Sequence, residues 1–98
     1  MVAGTGSFVP PRVLTNRDLE QMVETSDEWI RTRTGIAERH IADEEVPTSQ
    51  LAEGAAKAAL EAAGMTAGEL DLIVVATCTP DTQLPNTGAY LQERLGAH

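Results

Sequence analysis

Residues 72–77, LIVVAT, form a continuous apolar run. A strand with one wet face alternates apolar and polar side chains. A run without alternation predicts a strand buried on both faces, as in a parallel sheet held between helical layers. The longest helix is predicted just before it, capped by Thr48 or Ser49, reaching about Ala63 and closed by Gly64. Its apolar positions include Leu51, Ala55, Ala58, Ala59, Ala62 and Ala63, side chains small enough for other backbone to approach closely on more than one side. Close packing is also the expected reason for Gly54, since an interior helical Gly costs about 1 kcal/mol relative to Ala. After the loop 78–85, a further helix is expected from about Asn86 to Leu95, ended by Gly96. Strand between helices is the α/β class. A sheet-centred layer needs more strands and a second helical layer than these residues supply, so the sequence predicts part of a domain.

The amino-terminal half is richer in punctuation. Val2 to Val9 reads as a strand end entering a Gly-rich turn, and Pro10-Pro11 enforces an extended loop. Thr15 and Asp18 have capping-box spacing, with Leu19, Met22 and Val23 on one apolar face of the short helix that follows. Thr25 and Glu28 repeat the box, starting a helix that carries Trp29, Ile30 and Arg33 and stops at Gly35. Residues 36–42 read as extended and 43–47 as a solvated loop. Thr66 and Glu69 make a third box, with Met65 and Leu70 at the staple positions.

With 98 residues, the chain is one domain at most, with a barely sufficient core. Its 42% hydrophobic and 22% charged content is ordinary for a globular protein, and no apolar stretch could span a bilayer. A net charge of −8 argues against nucleic acid or anionic membrane, and against docking an acidic carrier protein on this surface. A single Cys excludes an internal disulfide and fits a reducing compartment. With no secretory leader visible, the expectation is cytoplasmic.

Trp29, the sole Trp, precedes Arg33 by four residues, a spacing that places both on one side of a helix. Such a pair suits a flat heteroaromatic ring bearing phosphate, with the indole as stacking face and the guanidinium as planar fork. The competing reading is a Trp anchored in a core beside a helix-capping Arg, and residue preferences alone favour it. Arg31, Arg33 and Arg39 are the local concentration of positive charge and the best anion-site candidate. Gly4-Thr5-Gly6 lacks the third Gly of a dinucleotide loop and reads as a tight turn. Cys78 is followed by Thr-Pro-Asp, whose acid would raise a thiol pKa, so packing is the better account of it. His40 and His98 are too few for a metal site, and the acids at 43–45 lack ligand spacing.

The stretch GTGSFVPPRVLTNRDLEQMVETSDEWIRTRTGIAERHIA, and within it TSDEWIRTRTGIAERHIA, closely resembles the amino-terminal region of β-ketoacyl-acyl carrier protein synthase III, the condensing enzyme that starts type II fatty acid synthesis. The resemblance continues through LDLIVVATCTPDTQLPNTGAYLQERLGA. It implies a thiolase fold, two similar α/β halves assembled as a homodimer, of which residues 1–98 would be the opening part of the first half. It implies that Trp29 stacks on the adenine of coenzyme A, that Arg33 contacts the nucleotide phosphates, and that Thr25 lines the same entrance. Leu84 matches a position, often Phe, that crosses the dimer interface into the partner's acyl pocket. The coenzyme A thioester would be a substrate, with no permanently bound cofactor, and malonyl-acyl carrier protein the second substrate, docked outside this chain. The family's nucleophilic Cys, and its His and Asn, match no residue here, so no catalytic residue is assigned. Two other readings stay open: a non-catalytic truncated binding module, and a related condensing enzyme of a secondary pathway.

Overall fold

A computed structural model describes every residue from Met1 to His98. The chain divides into two compact units, Val9–Asp43 and a second made of Met1–Phe8 with Glu44–His98.

The smaller unit contains β1 (Val13–Thr15), α1 (Asn16–Glu20), α2 (Asp27–Thr34) and β2 (Glu38–His40). The two strands pair antiparallel, Val13 opposite His40 and Thr15 opposite Glu38. The Thr15–Asp18 capping box forms as expected and starts α1 directly from β1. The helix α2 begins one residue later than the spacing suggested. Ser26, not Thr25, caps it and accepts the Trp29 amide at 3.1 Å. Both hydroxyls could cap. The choice of Ser26 places the acids Asp27 and Glu28 in the first turn, where the helix dipole favours them, and lets the Asp27 amide donate to Glu20 at 2.7 Å. Gly35 ends the helix in the left-handed conformation with φ 72°. Met22 and Val23, expected on an apolar face, are exposed, because α1 ends at Glu20 before either joins it.

The larger unit is built on α3 (Thr48–Ala63), followed by a single 3₁₀ turn (Ala67–Glu69) and α4 (Thr87–Leu95). The extended segment before Phe8 lies against α3. A Cβ on Gly4 would sit 2.7 Å from the Ala59 carbonyl oxygen, and one on Gly6 would collide with the Ala55 carbonyl and the Ala59 nitrogen. The two glycines therefore serve backbone-to-helix contact, not the tight turn expected of them. Gly54 meets the Phe8 ring, where a Cβ would come within 2.5 Å of Cγ, in keeping with a packing role. The cap of α3 also departs from expectation. Pro47 occupies the cap position and has no side chain to offer, while Thr48 and Ser49 lie inside the helix. The missing acceptor comes from far along the chain: Asp81 takes the Ser49 amide at 2.8 Å and the Ser49 hydroxyl at 2.5 Å. Ser49 Oγ accepts in turn from Arg94 on α4, which also reaches Glu53.

Residues 72–77 form no ladder. Leu72 and Val74 are about four-fifths exposed, while Ile73 and Val75 are partly covered. The run thus has one sheltered side and one bare side, not the two buried faces expected of it. A strand is defined by a neighbour that takes its amides and carbonyls, and β1 and β2 pair only with each other. Few apolar side chains are buried in either unit: Ile30 in the smaller, Leu91 and Ala97 in the larger.

Candidate functional site

The smaller unit presents Trp29 and Arg33 together on α2. The Arg33 guanidinium carbon lies 4.9 Å from the centroid of the indole, inside cation–π range, a contact worth about 0.5–1 kcal/mol at an exposed site. The indole is 55% exposed, so it is not an anchor in this unit's core; that place belongs to Ile30. Two shallow hollows share the ring. One, of about 220 Å³, is lined by Glu24, Thr25, Ser26 and Trp29. The other, of about 370 Å³, is lined by Ser26, Glu28, Trp29, Thr32 and Arg33. Thr25 and Arg33 thus sit on different hollows with the indole common to both.

The three arginines of the expected anion site have separate roles. Arg31 is paired with Asp27 at 2.8 Å, and Arg39 donates to the Leu14 carbonyl and to Asn16. Arg33 makes no ion pair and is the cation left free for an anion.

Sequence reasoning missed Asn16. It is 1% exposed, and its side-chain amide is fully satisfied. Nδ2 donates to Asp27 Oδ1 and to the Ile36 carbonyl, each at 2.8 Å, while Oδ1 accepts from Arg39 Nη2 at 2.8 Å. The hydrogen bond from Asn16, followed by that from Arg31, holds the Asp27 carboxyl below the ordinary carboxylate range. The only sequence signal was its place after Thr15, where a polar residue inside a capping box excites no suspicion.

In the larger unit, Leu84 is 87% exposed on the loop between Asp81 and α4. Cys78, expected to serve packing, is instead exposed, and it has no basic hydrogen-bond partner to stabilise a thiolate. No group of His, Cys, Asp and Glu has the arrangement of a metal site.

No family model matches the chain. Individual proteins do. It is 59% identical over 96 residues to the β-ketoacyl-[acyl-carrier-protein] synthase III of Geobacillus kaustophilus, an alignment covering 98% of this chain and 31% of that protein. The crystal structure of 3-oxoacyl-[acyl-carrier-protein] synthase III from Aquifex aeolicus superposes with a TM-score of 0.89 at 53% identity, over 97% of this chain and 30% of that one. The chain is related to synthase III and fits its amino-terminal portion. It spans about 30% of the length of the relatives it matches. The priming β-ketosynthase of the R1128 polyketide pathway is a more distant likeness, at 36% identity and a TM-score of 0.89 over 98% of this chain and 29% of that one. The fold is accordingly part of a thiolase-like α/β fold.

Proposed function

We propose that this chain is the coenzyme A-recognising part of a β-ketoacyl-acyl carrier protein synthase III. The whole enzyme would move a short acyl group from coenzyme A to an enzyme Cys, releasing free coenzyme A, then condense it with malonyl-acyl carrier protein, releasing carbon dioxide and regenerating the Cys. The observation that carries this reading is the exposed Trp29 with Arg33 over its ring, set in a sequence 59% identical to a synthase III. Adenine would stack on the indole face that Arg33 leaves open. Arg33 would exchange its cation–π contact for charge-assisted hydrogen bonds to phosphate, which are stronger and directional. Thr25, on the neighbouring hollow, would line the entrance. Coenzyme A is here a substrate, and no permanently bound cofactor is invoked. The nucleophile would lie in the part of the enzyme that these residues do not include, and Cys78 would not serve.

The enzyme would be a cytoplasmic homodimer, with Leu84 reaching the partner's acyl pocket. The exposure of that side chain supports this assignment. No helix is long and apolar enough to cross a membrane. A second reading is favoured by the polyketide priming ketosynthase: a related condensing enzyme with a different primer. Assaying a series of acyl-coenzyme A primers against malonyl-acyl carrier protein separates the two. Turnover of short primers into 3-oxoacyl-carrier product supports the fatty acid reading, and turnover confined to other primers contradicts it. The non-catalytic alternative is tested by intact mass. A mass of 98 residues without a companion polypeptide would end the catalytic reading.

A further inference from the structure

The helix that carries Trp29 and Arg33 has only eight residues, too short to hold its own direction in water. Its two ends are nevertheless fastened by one buried side chain. Asn16 Nδ2 donates one hydrogen to Asp27, the first residue of α2, and the other to the carbonyl of Ile36, just past the Gly35 stop. Its Oδ1 is held by Arg39 on β2, and its backbone amide donates to Ala37 at 3.1 Å. An amide has just these two hydrogens and one oxygen, and all are committed. Neither a carboxylate nor a hydroxyl could bind the same three partners. From these contacts we infer that Asn16 is a positioning residue for coenzyme A recognition: it fixes both ends of α2 and so sets the direction of the indole and guanidinium without touching the ligand. This rests on the nucleotide assignment of Trp29 and Arg33.

The test is steady-state kinetics and coenzyme A titration on the full-length protein carrying this chain. Asn16→Asp keeps an oxygen toward Arg39 but removes both donors and sets a second carboxylate against Asp27. The Michaelis constant for acyl-coenzyme A should rise about tenfold, a size suited to a small misplacement of binding groups. kcat and the Michaelis constant for malonyl-acyl carrier protein should stay within about twofold, because only nucleotide binding is disturbed. Adding Asp27→Asn restores a donor–acceptor pair between positions 16 and 27 and should recover much of the lost affinity. A fall in melting temperature or active fraction, with the acyl-coenzyme A constant unchanged, would overturn the inference. If Asn16→Asp does not fold, Asp27→Leu compared with Arg31→Leu decides. Asp27→Leu cuts one arm of Asn16 together with the Arg31 ion pair, whereas Arg31→Leu cuts the ion pair alone. Only the first should raise the same constant several-fold. The absence of a rise beyond that of Arg31→Leu would overturn the inference. Trp29→Ala in the same assay keeps the two levels apart. If it weakens coenzyme A binding while the position 16 and 27 variants do not, only the positioning role fails. If Trp29→Ala has no effect, the nucleotide assignment itself fails.

Discussion

Asp81 grips Ser49 with both carboxylate oxygens, one on the backbone amide and one on the hydroxyl, across thirty-two positions of sequence. It replaces the cap that Pro47 cannot provide and ties the loop bearing Leu84 to the first turn of α3. Asp81→Ala leaves a helix amide and a fully buried hydroxyl without this acceptor, which should cost about 1–3 kcal/mol. A drop in urea midpoint at constant slope would show it.

The glycines facing α3 make a contrasting pair with one that faces nothing. Gly6→Ala drives a methyl into the backbone of Ala55 and Ala59, and should destabilise by about 1–3 kcal/mol. Gly68→Ala meets no atom within 4 Å and should be neutral or stabilising by up to about 1 kcal/mol. Thermal melts of the two variants check the difference.

Acid should weaken the fold through carboxylates bound in place. Hydrogen bonds lower the Asp27 pKa, chiefly from Asn16 and then Arg31, and that of Asp18, chiefly from the Thr15 amide. A pKa lowered in the folded state means that the unfolded chain takes up protons first. The contribution is complete above the ordinary value of 3.8 and is lost as pH falls through the lower folded value. Denaturant midpoints measured from pH 6 down to about 3 should decline, and the decline should be shallower in Asp27→Asn.

Leu84 is exposed enough that enlarging it should leave stability within about 0.5 kcal/mol. If it fills part of a partner's acyl pocket, Leu84→Phe should change the kcat/KM ratio between a two-carbon and a branched primer by about tenfold. An unchanged ratio would remove Leu84 from the acyl pocket.

Local signals were legible at most places where donor and acceptor lie within four residues, the Thr25–Glu28 box, displaced to Ser26, being an exception. The boxes at Thr15–Asp18 and Thr66–Glu69, the start of α4 near Asn86 and the stops at Gly35, Gly64 and Gly96 all stand where the spacing put them. The Trp29–Arg33 pairing belongs with them, because helix geometry alone brings i and i+4 together. Partners distant in sequence were not legible. Nothing near Asp81 announces Ser49, and nothing near Asn16 announces Asp27, Ile36 and Arg39. Residues 72–77 show a third limit. Apolar patterning reports which faces a strand would like covered, while pairing depends on neighbours that a short stretch of chain does not specify.

Coenzyme A binding by the full-length protein, titrated calorimetrically against Trp29→Ala and Arg33→Ala, tests the central claim most directly. Each variant should bind at least about tenfold more weakly. The Arg33 loss should shrink as salt is raised, while the Trp29 loss should not. Affinities equal to that of the unaltered protein would contradict the account.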